Sequence, residues 1–71
     1  MERIYTLKKT ILTRADKMPV LLAEEDLNEN EFINTVDFLR KFTGLWVETS
    51  YNKLPCFTLE DEDGIEKIFF E

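Results

Sequence analysis

The stretch LWVETSYNKLPCFTLEDEDGIEKIFF, residues 45–70, decides the predicted fold. Three of its segments are rich in β-branched and aromatic residues, as strands are: 45–51, 56–60 and 65–70. The segment 52–55 is predicted to be a turn, because its proline cannot donate to a central ladder. Asp63 and Gly64 form a dipeptide that favours a tight hairpin turn. The stretch therefore predicts an antiparallel meander of three strands.

The register of these strands can be predicted from their hydrophobic pattern. A three-residue turn at 52–54 and a two-residue turn at 63–64 place the same kind of side chain on one face: Leu45, Val47, Phe57, Leu59, Ile68 and Phe70. A shift of either turn by one residue would move Glu48 or Lys67 onto that face. We call the opposite side of the sheet the second face, and it is predicted to carry Trp46, Cys56, Thr58, Ile65 and Phe69.

An amphipathic helix is predicted before the meander. Asn28 with Glu31 three residues later resembles a capping box, although Asp26 with Glu29 offers a competing start. Gly44 is well placed to end the helix. At 100° per residue the apolar side chains form one stripe: Phe32, Ile33, Val36, Leu39 and Phe42. We expect this stripe to pack on the apolar face of the sheet.

The N-terminal segment fits two interpretations. Ile4, Leu7, Ile11 and Ala15 have helical spacing, but threonines at three early positions lower the helix propensity. We favour a strand over residues 3–13 and leave the helix open. Residues 20–22 could add a short extended piece. The predicted fold class is α+β, in a single domain of residues 1–71: one amphipathic helix followed by a three-stranded antiparallel meander, with an additional N-terminal strand.

The composition excludes most catalytic chemistry. The 71 residues include one cysteine, Cys56, and no histidine, so Ser-His, Cys-His and His-metal sites cannot form within one chain. The only glycines are Gly44 and Gly64, which leaves no glycine-rich phosphate loop. The acidic run 60–63 lacks the first and last ligands of an EF-hand and is predicted to be a solvated turn. We predict no enzyme activity, no metal site and no cofactor.

The location of the protein is predicted from what the chain lacks. Its longest apolar run, 20–23, is far too short to span a membrane, and the N-terminus has no signal-peptide pattern. A single cysteine suits a reducing compartment. We therefore predict a cytoplasmic protein with no membrane partner.

The charge of the chain is uneven. Fifteen acidic and nine basic residues give a net charge of −6, which disfavours nucleic acid as a partner of the whole chain. Residues 1–17 nevertheless carry a local +3. Their basic side chains are the candidates for contact with nucleic acid: Arg3, Lys8, Lys9, Arg14 and Lys17. The same pattern also describes an exposed strand edge with lysine gatekeepers.

The second face predicts a partner chain. One helix cannot cover both sides of a sheet, and an apolar patch with Trp46 and Phe69 is too large to leave in water. Either the N-terminal segment or a second copy of the chain must cover it. Because so short a chain has little core and neither disulfide nor zinc site, oligomerisation is its remaining source of stability. We predict a homodimer.

The order of these elements resembles a known family. A helix over 32–42 followed by strands 45–51, 56–60 and 65–70, in a short acidic chain with one cysteine, is similar to the small hypothetical-protein family called Yopt from prophages of bacilli. The resemblance implies a homodimer with one helix and three strands per protomer, and no assigned function. An N-terminal strand would depart from that pattern.

The prediction for function is a non-enzymatic, homodimeric protein-interaction module, an accessory protein of a phage or prophage that binds a host protein. The first alternative is an acidic inhibitor that mimics nucleic acid and blocks a host DNA-binding enzyme. The second is nucleic-acid binding through the basic N-terminal segment.

Overall fold

One antiparallel sheet and one helix make up the computed structural model, which describes residues 3–41 and 45–71. In chain order the elements are β1 (Tyr5–Thr13), β2 (Val20–Leu27), α1 (Glu29–Arg40), β3 (Val47–Tyr51), β4 (Leu54–Glu60) and β5 (Gly64–Phe70). The strand order in the sheet is β2-β1-β5-β4-β3. Helix α1 packs on one face.

The predicted fold class is wrong. Strands form 55% of the described residues, so the chain is mostly β rather than a helix followed by a three-stranded meander. The meander does not stand alone, because β1 pairs with β5 along its length, with Leu7 opposite Phe70 and Thr13 opposite Gly64. The N-terminal strand predicted over 3–13 is confirmed, but β2 is a full strand and not a short piece at 20–22.

The hairpin of β1 and β2 is closed by a local hydrogen-bond network. The carboxylate of Asp16 accepts from the hydroxyl of Thr13 at 2.7 Å and from its backbone N–H at 3.3 Å. The backbone N–H of Asp16 donates back to the Thr13 carbonyl at 3.1 Å. Such side-chain bonds to nearby backbone groups are typical of turns. They fix β2 beside β1, with a bulge between Lys9 and Thr10.

The start of the helix is as predicted. The side-chain oxygen of Asn28 accepts the backbone N–H of Glu31 at 2.8 Å, and the Glu31 carboxylate accepts the backbone N–H of Asn28 at 3.1 Å. This confirms the capping box. The competing start at Asp26 is wrong, because Asp26 lies in β2. The predicted end at Gly44, and Phe42 of the stripe, lie outside the described residues.

The core lies between α1 and one sheet face. Its buried members come from both: Tyr5, Leu27, Val36, Leu39, Phe57, Ile68 and Phe70. The rings of Tyr5 and Phe32 stack at 3.9 Å between centroids, and Phe32 meets Phe70 edge-on at 4.8 Å. Ile33, expected in the packed stripe, is 47% exposed. Residues Val36 and Leu39 are buried as predicted.

The predicted register of β3 is wrong by one residue. The turn before β4 holds two residues, Asn52 and Lys53, both with positive φ (51° and 66°), where three were expected. Val47 therefore lies opposite Thr58 and is 65% exposed. A one-residue shift exchanges the two faces of a strand. Trp46 consequently packs against the core cluster in place of Val47.

The predicted turn before β5 is also displaced. Gly64 is the first residue of β5, and the turn is formed by the exposed residues 61–63. The Asp61 carboxylate accepts the backbone N–H groups of Asp63 at 2.8 Å and Gly64 at 3.1 Å. Phe57 thus lies opposite Ile68, two residues from the expected register, which leaves the faces of β4 and β5 unchanged.

Pro55 lies inside β4 rather than in the predicted turn. It pairs with Ser50 of β3, whereas the pairing of β4 with β5 begins at Phe57. The strand is paired on one side only at this point, which is where a strand tolerates a residue without an N–H group.

Candidate interaction surfaces

Within residues 3–41 and 45–71, no helix packs on the second face. In antiparallel pairs opposite residues point to the same side, so the side chains that alternate with Phe57 and Ile68 point away from α1. The apolar members of this face come from four strands: Leu12, Val47, Tyr51, Cys56, Ile65 and Phe69. The N-terminal segment was one of two expected covers, but β1 and β2 extend the sheet sideways instead.

Four of the five residues predicted for this interface lie together. Cys56 and Thr58 of β4 and Ile65 and Phe69 of β5 share the second face. Trp46 is a correction, since it packs on the opposite side of the sheet. Reading the sequence alone missed Val47 and Tyr51, and the only signal for them was the possibility of a two-residue turn at Asn52.

The centre of the second face is an aromatic pair. The rings of Tyr51 and Phe69 meet edge-on, with 5.4 Å between centroids and an interplanar angle of 72°. Beside them is an open groove of about 270 Å³, whose lining also includes Thr10, Pro19 and Lys67. Aromatic side chains are enriched in protein interfaces and are frequent among the residues that carry their binding energy.

Cys56 has a packing role on this face. Its side chain is 4% exposed, and it forms no disulfide. A thiol this deeply buried packs as a small apolar group.

The basic candidates do not form a patch. Lys8 and Lys9 point to opposite faces, and they form ion pairs with Glu71 at 3.0 Å and Glu66 at 3.9 Å. Arg14 and Lys17 lie between β1 and β2, whereas Arg3 precedes the other end of β1. The Arg3 guanidinium lies 4.6 Å from the centre of the Tyr5 ring, Arg14 donates to the backbone carbonyl of Glu62 at 2.7 Å, and Lys17 is exposed in the β1–β2 turn.

Two hydrogen-bonded ion pairs shift the pKa values of exposed groups. The hydrogen bond from Lys8 to Glu71 raises the pKa of the Lys8 ammonium above its ordinary value. The Arg40 guanidinium donates to both carboxylate oxygens of Glu48, at 2.8 and 2.9 Å, which lowers the pKa of Glu48. The pair of Lys8 with Glu71 links β1 to the C-terminus, and the pair of Arg40 with Glu48 links α1 to β3.

Most of the acidic residues lie in two separate groups, the first at residues 24–31 and the second at residues 60–63. Asp26 of the first group is opposite Thr6, whereas Gly64, next to the second, is opposite Thr13. Seven residues of extended strand separate these positions, or about 23 Å at about 3.3 Å per residue. The acids are therefore divided between the two ends of the sheet. Nowhere in residues 3–41 and 45–71 do three potential ligands come together to hold a metal ion.

The outer edge of β2, which we call the β2 edge, is the second open surface. β2 pairs with β1 on one side only. Its first three residues, Val20, Leu21 and Leu22, are 48%, 51% and 52% exposed, and Leu27 is the only buried residue of the strand. The strand contains no lysine or proline, and its three charged residues, Glu24, Glu25 and Asp26, follow the apolar run.

Comparison with known proteins gives no relative. No family model, curated protein or solved structure matches the chain. The five observed strands differ from the three strands per protomer that the resemblance to the Yopt family implied. Within the described residues, no helix has the length and apolar character needed to cross a membrane.

Proposed function

We propose that the chain is a non-enzymatic, homodimeric protein-interaction module. The observation that supports this proposal is the one-sided cover of the sheet. A single 12-residue helix packs on one face, while Val47 and Tyr51 on the second face are 65% and 47% exposed. Exposed apolar clusters of this kind mark contact surfaces in small proteins.

The size of the chain strengthens the argument for a second copy. A chain of 71 residues buries only about 60% of the surface that its unfolded form exposes, so its own core leaves it marginally stable. Burial of further apolar surface against a second copy would add stability without a disulfide or a metal. Two surfaces are open to that copy, the second face and the β2 edge.

The non-enzymatic part of the proposal rests on the chemistry of the side chains. The chain has no histidine, and its one thiol, Cys56, is buried in the sheet. A nucleophile without a nearby base is not activated. Following the resemblance to the prophage family, we propose the role of a phage or prophage accessory protein that acts by binding a host protein.

The homodimer is tested by the mass of the native protein in solution. Multi-angle light scattering at micromolar concentration should give about twice the 8.5 kDa mass of one chain. The same sample in concentrated urea should give the mass of one chain. A native mass of a single chain across the micromolar range would refute the homodimer.

A further inference from the structure

The β2 edge is the longer of the two sheet edges. The other edge, β3, has five residues, and the ion pair of Arg40 with Glu48 joins it to the helix. Strand β2 has eight residues, and none of the three ion pairs among the described residues involves it. Its backbone groups on the outer side have no strand partner. An edge of this length with apolar side chains is suited to pairing with another strand.

The segment around this edge is complementary to itself. It begins with Lys17, continues with the apolar run 20–23 and ends with the acids 24–26. In an antiparallel pair of two such segments, the apolar runs face each other while each lysine approaches the other copy's acids. Because opposite residues of an antiparallel pair point to the same face, Val20 of one copy pairs with residue 22 of the other, which brings the bend at Lys17 toward the other copy's Glu25.

We infer that two copies of the chain join through their β2 edges, antiparallel and about a two-fold axis. This inference rests on the proposed homodimer and assigns its contact. The two five-stranded sheets become one sheet of ten strands, held by backbone hydrogen bonds, apolar contacts and two symmetric sets of ion pairs. Because the axis is perpendicular to the sheet, both helices lie on the same side. The second faces then form one continuous surface, which stays open for a partner protein.

The apolar part of the contact is tested with a pair of matched variants. Leu21→Lys introduces a charge at the β2 edge, and Val47→Lys introduces the same charge at a similarly exposed apolar site on the second face. Light scattering should show that Leu21→Lys weakens the dimer at least about a hundredfold, whereas Val47→Lys leaves it unchanged. Circular dichroism confirms that each variant is folded.

The charged part of the contact is tested by reversing the charge of Lys17 and then of Glu25. Lys17→Glu lies in an exposed turn and should leave the fold intact, but it places like charges opposite each other and should weaken the dimer about tenfold. The double variant Lys17→Glu/Glu25→Lys should recover most of that loss.

The outcomes separate the inference from the proposal on which it rests. A wild-type chain that is monomeric refutes the homodimer itself. A wild-type dimer that survives Leu21→Lys, or that dissociates with Val47→Lys, leaves the homodimer standing and overturns its assignment to the β2 edge. Failure of the double variant to recover affinity overturns the antiparallel pairing of Lys17 with the acids.

Discussion

Gly64 occupies a backbone conformation that other residues rarely adopt. Its φ is +154°, and a side-chain carbon there would collide with the carbonyl oxygen of Leu12 and lie 2.8 Å from the Cα of Thr13. Both contacts are with the backbone of β1, which cannot move without disturbing the middle of the sheet. The close approach of β5 to β1 therefore depends on the missing side chain.

We expect Gly64→Ala to lower the free energy of unfolding by about 3 kcal/mol, from backbone strain and the clash together. Urea denaturation followed by circular dichroism measures the change. Asp63→Ala is the matched control, because the neighbouring Asp63 uses only its backbone N–H in the turn. Equal stability of Gly64→Ala and the wild type would show that β5 and β1 are further apart than described.

Arg40 determines the titration of Glu48. The two hydrogen bonds from the guanidinium hold the pKa of the Glu48 carboxyl below its ordinary value of 4.5. A carboxyl whose pKa is lower in the folded state stabilises the fold above pH 4.5. That contribution is lost as the pH falls through the folded-state pKa. Because both side chains are exposed, the effect on stability is small.

An NMR titration of the Glu48 carboxyl carbon tests this assignment. In Arg40→Gln the pKa of Glu48 should rise back toward 4.5. Lys41→Gln removes a neighbouring positive charge that makes no hydrogen bond to Glu48, and it should change the pKa much less. The same pKa in Arg40→Gln and the wild type would contradict the ion pair.

At the scale of elements, local signals were readable from the sequence and pairing was not. The capping box of α1 depends on Asn28 and Glu31, three residues apart, and it was predicted correctly. The second half of strand β2 contains Glu24, Glu25 and Asp26, which have low intrinsic preference for strands. They are extended because β1 supplies partners far along the chain.

Two contacts show how β1 supports the acidic half of β2. The Thr6 hydroxyl donates to the Asp26 carboxylate at 2.8 Å, and Lys8 lies opposite Glu24. Opposite charges and hydroxyl contacts across neighbouring strands stabilise the pairing. No pattern within residues 20–27 alone contains that information.

The register of β3 was missed for a similar reason. A two-residue hairpin turn requires positive φ at both positions and favours asparagine followed by glycine. The chain has Asn52 followed by Lys53, so the sequence indicated a longer turn. The fit of Trp46 against the core decides the register instead.

Paired alanine substitutions test this register. Trp46→Ala should lower the free energy of unfolding by about 2 kcal/mol, since it removes a large ring that packs against the core. Val47→Ala should change it by less than about 0.5 kcal/mol, since Val47 is 65% exposed. Urea denaturation measures both. The reverse ranking would support the three-residue turn and contradict the structure.

At the scale of the molecule, the fold disperses the charge asymmetry of the sequence. Within the +3 segment, residues 5–13 form β1, and two of the basic side chains there pair with acids from elsewhere in the chain. Lys8 pairs with Glu71, and Lys9 pairs with Glu66. A strand inside a sheet sends alternate side chains to opposite faces. This is why Lys8 and Lys9, adjacent in the sequence, lie on opposite faces of the sheet.

The residues of the second face were partly predictable, because side chains alternate between the two faces along each strand. Alternation along β4 and β5 placed Cys56, Thr58, Ile65 and Phe69 together, because a shift of two residues preserves the faces. The prediction failed at Trp46, because the register of β3 differs from the expected one by one residue, which exchanges the faces of the strand. The β2 edge was not predictable, since β2 itself was not recognised as a full strand.

In the proposed homodimer, this small sheet takes part of its stability from a second copy. The most direct measurement is the thermal unfolding midpoint over a hundredfold range of protein concentration. For a folded dimer in equilibrium with unfolded chains, this range should stabilise the dimer by about 2.7 kcal/mol and raise the midpoint by about 9 °C. A midpoint that does not change with concentration would contradict the account.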